Sequence, residues 1–157
     1  MGNRATDLAD LVAERSRWRD EGRRVVLTNG CFDLLHPGHV ALLETARHEG
    51  DVLIVALNSD ASVRGLKGAG RPLIPEAERA EVLLALEPVS RVVVYGNPTP
   101  LEVIRALLPD VLVKGADWAP DAIVGGPEVA AAGGRMVRVS LRGGHSTSTL
   151  VDRIRRP

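Results

Sequence analysis

The sequence predicts an α/β protein: an open, mostly parallel five-stranded sheet with helices on both faces, in one domain spanning residues 1–157. Three observations carry that prediction. Short runs rich in valine, isoleucine and leucine alternate with segments of helical periodicity, the pattern of βα units. One run, Val52 to Leu57, is apolar without interruption, as expected of a parallel strand buried on both faces. The residues able to do chemistry fall just after the runs, where such sheets bind ligands.

Taken in order, Thr6 to about Glu21 places Leu8, Leu11, Val12, Arg15 and Trp18 at helical spacing, with Thr6 as N-cap and Asp7 in the first turn. Arg24 to Thr28 is the first strand. In the turn that follows, Gly30 permits a tight bend, and Pro37 and Gly38 lead into a helix from His39 to Glu49, stopped by Gly50. Val52 to Leu57 is ended by Asn58-Ser59-Asp60, and Gly65 to Pro75 reads as a glycine- and proline-rich loop. Pro75 to Leu86 is an amphipathic helix with Ala80, Leu83 and Leu84 inward. Arg91 to Tyr95 is the third strand, Pro100 to Leu108 a helix opened by proline, and Val111 to Lys114 the fourth strand. Ile123 to Ala132 is a helix closed by Gly133-Gly134, Met136 to Ser140 the fifth strand, and Ser148 to Arg155 the last helix.

Composition narrows the function. A chain of 157 residues, 45% hydrophobic and of zero formal net charge, buries a real core and offers no nucleic-acid surface. A single cysteine excludes an internal disulfide framework and fits a reducing, cytoplasmic setting. No apolar run approaches the ~20 residues of a membrane span, and no signal-peptide core is present.

The chemistry centres on Thr28 to Val40, TNGCFDLLHPGHV. The helix start that Pro37-Gly38 lead into presents free backbone N–H groups and a positive dipole end to an anion, and His36 and His39 add donors there. That is a phosphate site, without a Walker or GxGxxG pattern. Only His48 and His145 remain as further histidines, so a closed zinc set is hard to assemble. Of 20 basic residues only Lys67 and Lys114 are lysine, and each precedes glycine. In a chain biased to arginine, both positions call for a compact ammonium, the point-charge mode of phosphate binding. Gly30–His39, Asn58–Lys67, Gly96–Thr99, Lys114–Trp118 and Arg142–Thr147 each follow a strand, so all five fall on one rim of a Rossmann-like sheet.

Gly30-Cys31-Phe32-Asp33 and His36-Pro37-Gly38-His39 resemble the GxFDxxHxGH signature of the cytidylyltransferase superfamily of nucleotidyltransferases. The order continues through ALNSDASVRGLKGAGRPL, Arg79, Thr99-Pro100, PDVLVKGAD and GGHSTSTLVDRI, and over nearly the whole chain it resembles the adenylyltransferase domain of bacterial ADP-heptose synthases. The resemblance implies transfer of AMP from ATP to D-glycero-β-D-manno-heptose 1-phosphate, giving ADP-heptose and pyrophosphate. It implies catalytic roles for His36, His39, Lys67 and Arg79. Nucleotide contacts are implied for Gly30, Cys31, Phe32, Asp33, Gly38, Lys114, Gly115, Asp117, Ser146, Thr147 and Ser148. Cys31 stands at the variable position and reads as a small packed residue, while Asp33 is balanced between a cation and a turn cap. No all-protein metal cage is expected; Mg²⁺ would travel with the ATP phosphates.

Two departures from the family pattern stand out. Ser146-Thr147-Ser148 replaces the usual Ser-Thr-Thr, retaining each hydroxyl, and Gly96-Asn97-Pro98 replaces acidic residues before Thr99-Pro100. The resemblance also implies a homodimer, and a chain with room for one core predicts that a separate kinase and phosphatase supply its substrate. The alternatives are a glycerol-3-phosphate-type cytidylyltransferase and a catalytically silent nucleotide-binding module.

Overall fold

The structure, a computed structural model, describes residues 4–115, 123–140 and 143–156. Five strands form one sheet in the order β3-β2-β1-β4-β5, where β1 is Val25–Gly30, β2 Val52–Asn58, β3 Arg91–Tyr95, β4 Val111–Gly115 and β5 Arg135–Val139. Every pairing is parallel, including Val25 with Val52, Val26 with Val111 and Val111 with Arg135. The sheet expected to be mostly parallel is wholly so.

Strand periodicity of two sorts the side chains into two cores. Val25, Leu27, Ile54, Ala56, Val93 and Leu112 face one layer, completed by Leu11 and Trp18 of α1 (Leu8–Asp20), Ile104 of α5 (Leu101–Leu107) and Val129 of α6 (Gly126–Ala131). Val26, Leu53, Val55, Leu57, Val92 and Val113 face the other, beneath Leu43 of α2 (Pro37–His48) and Leu83 of α4 (Glu76–Leu84). Both faces are therefore covered, and each fully buried leucine such as Leu11, Leu53 or Leu83 contributes about 1.5–3 kcal/mol. Arg15, at helical spacing with Leu8, Leu11 and Trp18 on α1, is buried. It donates to the carbonyls of Leu107 and Leu108 and pairs with Asp110, tying α1 to the turn before β4.

Two local readings change. Residues 60–67, expected to run from a strand end at Asp60 into a loop from Gly65, form a helix, α3 (Asp60–Lys67). Ser59 caps it by accepting the Ser62 N–H at 3.1 Å, and it runs through Gly65 to a left-handed Gly68. The helix expected from His39 begins two residues earlier, at Pro37, which makes His36 its N-cap. The last helix, α7, is Thr147–Arg155. No helix among the described residues is long and apolar enough to cross a membrane.

The chain moves outward from β1 to β3, then returns across the sheet to β4 and β5. The connections diverge between β1 and β4, and the crevice beyond the carboxyl ends of those strands is where an open α/β sheet takes a ligand.

Candidate active site

The turn from β1 to α2 builds the first part of the site. Gly30 ends β1, and a side chain there would stand 2.9 Å from the Phe32 ring, so only glycine lets that ring fold back. Phe32 itself holds a left-handed backbone, φ 46°, and is buried. Its ring lies 5.2 Å from that of His39, which stacks on His36 at 3.8 Å.

The two histidines cap each other's helix start. The His36 N–H donates to His39 Nδ1 at 3.3 Å, and the Gly38 N–H donates to His36 Nδ1 at 3.1 Å. Both Nδ1 atoms accept, so in each neutral ring the proton sits on Nε2. Burial first, then His36 and Lys67, lowers the pKa of His39 to about 4. Burial and then His145 lower that of His36. At neutral pH the pair therefore offers two Nε2–H donors at a helix N-terminus, a neutral version of an oxyanion site. Gly38 serves this arrangement, because a side chain there would meet the His36 ring at 2.9 Å and the His145 Cβ at 3.3 Å.

Two adjoining cavities open along the carboxyl ends of the strands. The smaller, about 300 Å³, is lined by Thr28, Phe32, His39, Leu42 and Gly115 besides a shared wall. The larger, about 360 Å³, extends past Asn58, Tyr95 and Thr99. Asn29, Gly30, Cys31, Lys67 and Lys114 line both. The two lysines of the chain thus come together where the cavities meet, Lys67 from the end of α3 and Lys114 from β4, with Lys114 Nζ 3.4 Å from Asn29 Oδ1. Burial pushes the Cys31 thiol above its ordinary pKa, against the pull of Lys67 and Arg79, so it stays protonated and is a poor nucleophile.

Two charged residues of the predicted site are placed differently. Asp33, 6% exposed, accepts from the Leu73 N–H at 2.8 Å and the Ile74 N–H at 2.9 Å, with Arg71 3.7 Å away. Of the two roles left open for it, the structure shows the cap, applied to the loop at 73–74. Arg79, expected at a phosphate, has a side chain that is 0% exposed. Its guanidinium donates to the carbonyls of Ile74 (2.8 Å), Cys31 (2.7 Å) and Asn58 (2.9 Å) and to Asp60 Oδ1 (2.7 Å). It clasps the ends of β1 and β2 to the loop, with no side-chain surface left exposed.

The N-terminus of α7 lies beside that of α2. Ser146 caps α7 by accepting the Thr149 N–H at 3.0 Å, Thr147 donates to the Leu34 carbonyl at 3.3 Å, and Ser148 is exposed. His145 stacks over His36 at 6.1 Å. Ser146 and Thr147 thus position a second helix N-terminus at the same rim. Asp117, and with it Trp118 and Arg142, lie outside the described residues.

Sequence reasoning assigned no role to a row of polar groups at the strand ends. Asn29 of β1 donates from Nδ2 to the Tyr95 hydroxyl of β3 at 3.4 Å, and Asn58 of β2 is buried and donates to Ser62 Oγ at 3.0 Å. Burial raises the pKa of Tyr95, which remains a neutral phenol. The available signal was one polar residue closing each apolar run.

Fold and site together define an α/β protein with two helix N-termini and two lysines gathered at the carboxyl ends of its strands. The chain belongs to the cytidylyltransferase-like family, whose model matches residues 27–141. It is 57% identical over 146 residues to the bifunctional protein HldE of Azorhizobium caulinodans, covering 93% of this chain and 30% of that protein. To the HldE of Methylobacillus flagellatus it is 46% identical over 154 residues, covering 98% and 32%. The chain therefore spans about 30% of the length of these relatives. The solved lipopolysaccharide core biosynthesis protein of Thermoplasma volcanium shares the fold, with a TM-score of 0.63 and 24% identity over 77% of this chain and 98% of its own. The protein is a nucleotidyltransferase.

Proposed function

We propose that the protein transfers AMP from ATP to a sugar 1-phosphate, D-glycero-β-D-manno-heptose 1-phosphate being the acceptor favoured by the resemblance to ADP-heptose synthases. One observation carries the reading: two neutral imidazoles locked by reciprocal caps at a helix start, with His39 lining one cavity together with both lysines of the chain. The acceptor phosphate needs no general base, because its second pKa is about 6 and it is largely dianionic at neutral pH. Catalysis then consists of bringing two polyanions together and stabilising charge on the α-phosphate and the departing pyrophosphate.

The residues divide that work. His36, His39 and the N–H groups at the start of α2 receive phosphate oxygens, and the α7 N-terminus adds a second positive dipole end. Lys67 and Lys114 flank the reacting phosphorus. Arg79 and Asp33 act through others, holding the turn and loop in place. Among the described residues no group of three or more His, Cys, Asp or Glu side chains is arranged to hold a cation, and Asp33 is taken up by backbone N–H groups. Mg²⁺ is proposed to arrive on the ATP phosphates, where it would neutralise developing charge. A homodimer in the cytoplasm, supplied by a separate kinase and phosphatase, completes the proposal.

Pyrophosphate release measured with Mg²⁺, ATP or CTP, and heptose 1-phosphate or glycerol 3-phosphate tests it. ATP with the sugar phosphate should be favoured at least tenfold. Preference for CTP and glycerol phosphate would move the assignment to the polyol-phosphate cytidylyltransferases, and release with no pair would leave a silent binding module.

A further inference from the structure

We infer that the larger cavity is the acceptor subsite, and that Tyr95 and Asn29 there read the hydroxyl groups of a sugar ring. This rests on the AMP-transfer reading, which fixes a direction. In an in-line displacement the entering and leaving oxygens lie on opposite sides of the phosphorus. The pyrophosphate side is set by the histidine pair and by Gly115, all bordering the smaller cavity or the α2 start. The larger cavity meets the smaller only at Asn29, Gly30, Cys31, Lys67 and Lys114, so an acceptor lying in it reaches the phosphorus from the far side.

The lining suits a phosphorylated ring with an apolar face and a hydroxyl edge. Among the described residues two lysines and no carboxylate line the larger cavity, which favours a phosphate at its inner end. Leu66, Pro100, Ile123 and Val124 supply apolar walls for ring C–H groups. Asn29, Asn58 and Tyr95, from the ends of three adjacent strands, supply donors and acceptors. Asn58 is committed to Ser62 at 3.0 Å and to the Arg79 clasp through its carbonyl. Tyr95 is contacted by the amides of both Asn29, at 3.4 Å, and Asn58, and a phenol that accepts from amides keeps its O–H to donate to a ligand hydroxyl. Asn29 also faces Lys114 through Oδ1, so the amide that touches the sugar reader touches the phosphate lysine as well. A hydroxyl docked at Tyr95 therefore orients the acceptor against the same side chain that places Lys114.

Tyr95 is the only tyrosine of the chain, which gives the test a clean reporter. With 3-fluorotyrosine incorporated, the full chain should show one ¹⁹F resonance, shifted by heptose 1-phosphate alone and unmoved by a non-hydrolysable ATP analogue alone. Tyr95→Phe should raise KM for the sugar phosphate at least tenfold while KM for ATP and the melting temperature stay near wild type. A resonance moved by the ATP analogue and not by the sugar phosphate would place the base in this cavity and overturn the inference. So would a resonance moved by neither, or an unchanged acceptor KM in Tyr95→Phe. The two readings fail separately. Sugar phosphate binding at Tyr95 without pyrophosphate release would defeat AMP transfer, whereas normal turnover with a silent Tyr95 would defeat the subsite alone.

Discussion

Replacing Arg79 by alanine separates the role expected from its position in the sequence from the role its surroundings give it. The wild-type guanidinium is fully buried and makes four hydrogen bonds of 2.7–2.9 Å, three to carbonyls and one to Asp60. Alanine would leave three carbonyls without that donor and Asp60 without its cation. Breaking a buried pair by removing one partner costs about 3–5 kcal/mol. Asp60, 30% exposed, regains some water, which favours the lower part of that range. For a domain of this length each kcal/mol moves the melting temperature by roughly 2–4 °C, so a fall of about 10 °C is expected. Thermal unfolding, together with urea titration to verify a shifted midpoint at constant slope, measures it. Arg79→Lys keeps the charge but loses the fork, and should fall between alanine and wild type. A melting temperature within about 2 °C of wild type, combined with a hundredfold loss of kcat, would refute the clasp and restore Arg79 to the phosphates.

The remaining predictions concern the histidines, the lysines and one glycine. His39→Ala should lower kcat by about 10²–10³-fold, the loss of one oriented donor, while a lost cap limits the melting shift to a few degrees; retention of half the wild-type kcat would remove His39 from the mechanism. Because the folded pKa of His39, about 4, lies below its ordinary value of 6.5, the unfolded chain binds its proton first as pH falls. Its contribution to stability is thus complete above pH ~6.5 and lost progressively towards pH ~4; melting curves should decline more steeply over that window in wild type than in His39→Gln, and parallel curves would refute the neutral cap. Lys67→Arg or Lys114→Arg should lose at least tenfold in kcat/KM, since a planar fork cannot replace a compact ammonium; two fully active variants would show that charge alone suffices. Gly38→Ala should displace the His36 ring, which a new Cβ would meet at 2.9 Å, and should reduce kcat with little change in melting temperature, as steady-state and unfolding measurements together would show.

Much of this architecture was legible because its causes are local. Strands alternate at a period of two and helices at 3.6, so the runs ending at Thr28, Leu57, Tyr95, Lys114 and Ser140 announced all five parallel strands and the rim where they stop. The motif from Gly30 to His39 was equally readable, since its parts touch one another: Gly30 makes room for Phe32, Gly38 for His36, and His36 and His39 cap one helix. The helix at 60–67 was missed for a local reason too. Gly65 and the Lys67-Gly68 pair carry loop signals, while its Ser59 cap was read only as a strand end.

What the sequence hid depends on partners far along the chain. Arg15 and Arg79 look like any other arginine in an arginine-rich chain, and their partners are mostly backbone carbonyls, which every residue possesses. Burial of such a charge requires a complete set of acceptors, and no spacing rule assembles Cys31, Asn58, Ile74 and Asp60 around one guanidinium. The same holds for Asn29 and Tyr95, 66 positions apart and joined only because β1 and β3 flank β2 and end on one edge. Resemblance could mark Arg79 as a residue of the site but not state which way it points. A buried guanidinium that binds three carbonyls from three segments fixes where those segments end, and thereby where Cys31, Asn58 and the two lysines meet the ligand. An arginine can therefore be indispensable to phosphate transfer without touching phosphate, which is why stability and turnover must be measured on the same variant.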